Sequence, residues 1–135
     1  MHIKKSNSKG FTLIELLIVI IIIGILAAIA FVAYSGSQNK AKKADAQSTV
    51  AQVKTKLGEY NADNDKYPKD KATVVTWLKS AEGGNNTALG TKFEDSAYTY
   101  TPGPSGCNTT DDCTGFTLTA DESLFNGSAP ISVTN

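Results

Sequence analysis

The sequence predicts an α+β protein in which one long N-terminal helix, apolar over its first half, packs its second half against a small antiparallel sheet. Three observations carry that expectation. From Leu16 to Tyr34 about nineteen residues are uncharged and almost wholly apolar, the length a helix needs to cross a bilayer core of roughly 30 Å. From Ala46 to Tyr60 the apolar residues recur on one helical stripe. Beyond about residue 93 the chain turns to short alternating segments bounded by glycine and proline, the pattern of strands.

Residues 1–10, MHIKKSNSKG, are polar, carry Lys4, Lys5 and Lys9 without an acid, and end in Gly10. They read as a basic leader that stays in the cytoplasm. Residues 11–34, FTLIELLIVIIIIGILAAIAFVAY, follow with a single charge, Glu15. Ile and Val are mediocre helix formers in water, but in hydrocarbon every backbone N–H and C=O must be satisfied within the segment, so the surroundings impose a helix. A carboxylate in so apolar a stretch is costly unless paired or protonated, which marks Glu15 as functional. Its competing local role is the favourable interaction of an acid with a helix N-terminus.

Gly10 followed by Phe-Thr-Leu-Ile-Glu and an apolar run closely resembles the processing site of type IV prepilins, and the resemblance extends from Lys9 to Tyr34, including Gly24 and the ILAAIA after it. It implies that a membrane prepilin peptidase cuts after Gly10 and methylates Phe11, and that Glu15 serves filament assembly. By pairing the new amine of one subunit with Glu15 of the next, a filament would relieve two charges that are each expensive in an apolar bundle. Gly24 and Ala28, four residues apart, offer a small-residue seam for close helix approach. The implied partners are further copies of the chain in a helical filament, the peptidase, a pilus assembly platform with its ATPase, and the membrane. The implied location is the cytoplasmic membrane, N-terminus inside, before assembly and the extracellular pilus after it. One departure concerns Val32, which stands where that family usually has proline. Glycine costs a helix about 1 kcal/mol and proline roughly 3, so Gly24 alone predicts a more continuous helix.

The function expected is therefore a structural subunit of a type IV pilus, a major pilin, serving adhesion, motility or DNA uptake. A pseudopilin of a type II secretion or competence system is the alternative. A second alternative is a secreted binding domain behind an ordinary signal peptide cleaved near Ala28-Ile29-Ala30; the apolar run is overlong for that and leaves Glu15 without purpose.

Residues 35–135 are read as an extracytoplasmic head. Ser35-Gly36-Ser37 is a soft point, yet no proline interrupts the helix, which is expected to run from about 11 to about 61, or roughly 75 Å at 1.5 Å per residue. Over 35–61, Ala46, Val50, Val53, Leu57 and Tyr60 make the stripe. Asn61 to Pro68 ends it, because Asn and Asp compete for backbone hydrogen bonds and Pro68 forbids a helical Tyr67. Asn61, Asp63 and Asp65 alternate as in a calcium loop, but Lys66 replaces the required glycine and Ala72 the bidentate acid. A short helix is expected over about 71–82, capped by Asp70 and stopped by Gly83-Gly84, with Val74, Trp77 and Leu78 on one face and Trp77 as a core anchor. The stretch GGNNTALGTKFED reads as loop. Antiparallel strands fill about 93–135: Ala97 to Thr101, Gly115 to Ala120 and, more weakly, Pro130 to Thr134.

Cys107 and Cys113, the only two cysteines, stand six apart in a stretch rich in Gly, Thr and Asp. A disulfide closing a small loop explains them best, and disulfides persist outside the cytoplasm; two reduced thiols are the alternative. Loss of the leader removes three of thirteen basic residues and leaves about minus three. All basic residues are lysines, so the bidentate phosphate grip of arginine is missing and no nucleic-acid site is expected. His2, the only histidine, lies in the leader. No mature histidine remains to act as a base or pair with a cysteine, and no metal or cofactor motif is present, so the chain reads as a non-enzyme.

Overall fold

The structure, a computed structural model, describes residues 10–107, 113–126 and 129–135. In chain order these form α1 (Leu13–Asn64), α2 (Lys71–Lys79), α3 (Thr87–Glu94), β1 (Tyr98–Gly103), β2 (Gly115–Ala120), a 3-10 turn (Glu122–Leu124) and β3 (Ile131–Thr134). The expected α+β class, a long apolar N-terminal helix with a small antiparallel sheet, is the one observed. The chain divides into two compact units, Met1–Gln38 and Asn39–Asn135.

In the first unit α1 is helical through both Gly24 and Val32. The hydroxyls of Ser35 and Ser37 donate to the carbonyls of Val32 and Ala33, each at 3.1 Å. A residue type that ordinarily competes with the helix is thereby tied to it. Large apolar side chains cover every face of this segment, and from Phe11 to Tyr34 they are 50–89 % exposed. Nothing among the described residues buries them.

The second unit has an ordinary core. Ala46, Val50, Val53 and Leu57 of α1 are each 1 % exposed or less, and Tyr60 meets Trp77 of α2 edge-on at 5.2 Å between ring centroids. Thr49 is buried on the same stripe and donates to the Asp45 carbonyl at 2.9 Å. α1 runs to Asn64, past the expected end, and stops at Asp65, whose φ of 57° is left-handed. The chain then passes through Tyr67 and Pro68, which the rest of the head holds by three hydrogen bonds. Tyr67 N–H donates to the Cys113 carbonyl at 2.8 Å, Tyr100 O–H donates to the Pro68 carbonyl at 2.5 Å, and the Asn135 amide donates to the Tyr67 hydroxyl at 2.7 Å. Burial pushes the Tyr100 phenol above its ordinary value, and the neighbouring Tyr60, Asp70 and Tyr67 add to the shift.

α2 begins at the Asp70 cap, whose carboxylate accepts from both Thr73 N–H and Thr73 O–H at 2.7 Å. It ends at Lys79 rather than 82, because Ser80 turns its N–H and hydroxyl onto the Trp77 carbonyl and closes the last turn early. Gly83 packs onto that turn so closely that a Cβ there would lie 2.1 Å from the Trp77 carbonyl oxygen.

The stretch expected as loop contains α3, and strand begins at Tyr98 rather than near 93. Asn86 caps α3 by accepting Leu89 N–H at 3.1 Å, and Leu89 and Phe93 bury one face. Eight residues hold too few apolar positions to show a period, and Gly90, a poor helix former, hid the rest. Its missing side chain matters for packing, since a Cβ at Gly90 would sit 2.7 Å from Lys79 Cγ of α2. Lys71 ties α2 to the junction between α3 and β1. Its ammonium donates to the carbonyls of Asp95 and Tyr98, both at 2.6 Å, and lies 5.4 Å from the centre of the Phe93 ring. Desolvation draws its pKa down, against the pull of Asp95 and Glu94.

The sheet is antiparallel in the order β1-β2-β3, with Tyr98, Tyr100 and Pro102 opposite Ala120, Leu118 and Phe116, and Leu118 and Ala120 opposite Val133 and Ile131. Tyr98, Tyr100, Phe116, Leu118 and Ala120 are buried. Alternation has placed one face on the core. Cys107 and Cys113 are joined as a disulfide with Cα atoms 5.3 Å apart.

Two outcomes are expected from thermal unfolding of the full chain in detergent followed by circular dichroism. Asp70→Ala should cost about 0.5–2 kcal/mol, as loss of an N-cap does. The two Thr73 hydrogen bonds hold the Asp70 carboxyl below its ordinary pKa, so its contribution is present above the ordinary carboxylate range and lost as pH falls through the folded value. The gap between wild type and variant should therefore shrink on acidification. Gly83→Ala should cost about 1–3 kcal/mol through overpacking.

Candidate functional site

The residues that carry the functional expectation lie at the front of α1. Gly10, Phe11 and Thr12 precede the first helical residue, Leu13, and Gly10 and Phe11 are exposed. The Gly10–Phe11 peptide bond is thus outside the helix, where its carbonyl is not engaged in an intrahelical ladder. A peptidase needs a non-helical, accessible bond, and this one is both.

Thr12 is the N-cap. Its N–H and its hydroxyl both donate to one carboxylate oxygen of Glu15, Oε2, at 2.9 and 2.7 Å, and its hydroxyl oxygen accepts Glu15 N–H at 3.2 Å. This is a reciprocal capping box of the pattern Thr-x-x-Glu, in which the cap and the third helical residue satisfy each other's backbone donors. The expectation drawn from the sequence rests on Glu15 alone and leaves out Thr12. The spacing of a threonine three residues before a glutamate at the head of an apolar run was the available signal.

The box holds the Glu15 carboxylate one residue away from the nitrogen of Phe11. Glu15 is exposed all the same, and a carboxylate has about four lone-pair sites, so capacity for another donor remains. Gly24 and Ala28 are exposed, and a Cβ at Gly24 would meet no side chain within 4 Å. The fold of the single chain places no demand on Gly24 being small.

Elsewhere the described residues of the head form open grooves. One is lined by Lys42, Asp45, Lys92, Asp95, Tyr98 and Leu124, and another by Tyr60, Asp70, Thr73, Trp77 and Ser80. Asp70 is already the cap of α2, and Asp45 is ion-paired with Lys92. Among the described residues no group of three or more His, Cys, Asp or Glu side chains is placed to hold a metal ion. The disulfide takes both cysteines.

Thr12→Ala should fray the first turn of α1 while leaving the rest of the helix intact. Amide hydrogen exchange of the full chain in micelles checks this: the amide of Glu15 should exchange faster than in wild type, and amides beyond Gly24 should not change.

No curated protein and no solved structure matches the chain. The described residues contain one helix long and apolar enough to cross a membrane, its most apolar stretch having a mean hydropathy of 3.4 with none of it buried. Together with the motif that precedes and overlaps it, that helix fits a membrane-anchored prepilin. Residues 5–31, which include the exposed Gly10–Phe11 bond and the capping box behind it, match the prokaryotic N-terminal methylation motif, the processing signal of type IV pilins and pseudopilins.

Proposed function

We propose that this chain is a filament subunit, a major pilin of a type IV pilus, which is cut after Gly10, methylated on Phe11 and polymerised through α1. The observation that carries the reading is the apolar half of α1, exposed on every face directly behind the methylation motif. In the membrane, lipid covers that surface; in a filament, copies of the same helix do. Cleavage creates an amine on Phe11 next to the peptide N–H that Glu15 already accepts. An amine of a neighbouring copy can take the free positions of that carboxylate, so the acid that organises the first turn also receives the next subunit. The spare room at Gly24 suits a neighbour's close approach.

Structural work of this kind needs no catalytic group. A pseudopilin would use the same front end, and the small disulfide-closed head does not separate the two. Surface filaments in micrographs favour the pilin, and a secretion defect without such filaments favours the pseudopilin.

Mass spectrometry of sheared surface material should find a chain that begins at Phe11, is methylated there and is oxidised at Cys107 and Cys113. A start at Met1, or well beyond Phe11, defeats the proposal. Glu15→Ala should leave the protein inserted in the membrane at wild-type abundance and abolish filaments; normal filaments from that variant would remove Glu15 from the mechanism.

A further inference from the structure

Trp77, the only tryptophan of the chain, is 8 % exposed and stands edge-on to Tyr60. Its carbonyl accepts the N–H and the hydroxyl of Ser80, but its indole N–H finds no partner among the described residues. None of their buried side-chain nitrogens or oxygens is left unpaired, so this N–H must reach solvent. A tryptophan buried to that extent ordinarily gives its one polar group an acceptor. Here the donor is left open on a ring that lines the groove between the end of α1 and α2. The groove encloses about 550 Å³, within the range of small-molecule sites. Lys69, Asp70, Thr76 and Glu82 line it beside the two aromatic rings. Asp70 offers Oδ1 to both Thr73 donors, and its Oδ2 accepts from no group among the described residues. Lys69, Thr76 and Glu82 are exposed, and Glu82 belongs to none of the ion pairs found among the described residues.

We propose that this groove is a saccharide site, which takes a neutral hexopyranose at the end of an oligosaccharide. A sugar ring has an apolar C–H face and a rim of hydroxyls, each of which donates and accepts. The groove offers the complement of both. Tyr60, the more exposed of the two rings, and Trp77 present aromatic surface, whose negative π face attracts polarised C–H groups. The indole N–H donates to one sugar hydroxyl, and the carboxylates of Asp70 and Glu82 accept from others in hydrogen bonds of the stronger, charge-assisted kind. The same lining disfavours other ligands. An apolar molecule would cover these polar groups without pairing them, and a phosphate or nucleic acid would meet two carboxylates against the single ammonium of Lys69. The site lies wholly within the head and does not depend on how, or whether, the chain assembles.

Because the chain has one tryptophan, the indole N–H resonance in NMR of the full chain reports on the groove without ambiguity. The protein is held in micelles of a detergent that has no sugar head group and titrated with maltose, lactose and N,N′-diacetylchitobiose, with glucose phosphate and trialanine as contrasting probes. At least one neutral disaccharide should move the resonance saturably, with a dissociation constant of about 1 mM. Thr76→Arg places a long side chain in the groove from an exposed position of α2 and should weaken that binding at least about tenfold, with circular dichroism as the control for folding. Glu82→Gln, which removes a charge from the rim and leaves the core alone, should weaken it about fivefold. The inference is overturned if no neutral disaccharide moves the resonance up to about 20 mM. It is equally overturned if only trialanine or glucose phosphate does so, or if folded Thr76→Arg and Glu82→Gln bind as wild type does. The filament reading is untouched by any of these outcomes.

Discussion

The constraint behind the molecule is a helix clad in apolar side chains on every face, which nothing among the described residues covers. The first half of α1 exposes Leu, Ile, Val and Phe all round, whereas an amphipathic helix would need only one partner face. Two environments satisfy it: hydrocarbon, or a bundle of like helices. The transfer between them gains little from the hydrophobic effect, since lipid tails are as apolar as leucine, so packing and polar contacts must decide it. That is why one carboxylate at the front of so long an apolar run carries weight.

The capping box gives Glu15 a physical role before any neighbour arrives. An N-terminal turn in hydrocarbon or at its edge leaves donors without partners, and the Glu15 carboxylate accepts the Thr12 N–H and hydroxyl. The acid is therefore held against the backbone just ahead of the helix. In the proposed filament, local helix chemistry and assembly would draw on the same side chain, so an acid's ordinary preference for a helix N-terminus would prepare that role instead of competing with it.

In the head the same helix behaves conventionally, with a narrow buried stripe and polar flanks. What binds the remaining elements to it are contacts between distant positions. Tyr67 and Pro68 are held from β1, from the segment at Cys113 and from Asn135, and Lys71 neutralises carbonyls where α3 gives way to β1. The Lys71 ammonium does so at the cost of partial burial, which the charges of Asp95 and Glu94 offset only in part.

The sequence alone determined the apolar span, the buried stripe from Ala46 to Leu57, the Asp70 cap and strand β2, because each is written in a periodicity or a cap that acts over a few residues. Glu15, Phe11 and Gly10 were legible for the same reason, as neighbours in one short motif. Tertiary structure alone decided α3, the early end of α2, the need for glycine at 83 and 90, and the role of Lys71. Eight residues with a central glycine do not specify a helix until Leu89 and Phe93 find a core to enter, and a lysine gives no sign in the sequence of carbonyls lying more than twenty residues away. Local order follows from the chain's own chemistry, whereas those features exist only because folding brings remote backbone within hydrogen-bonding and van der Waals distance.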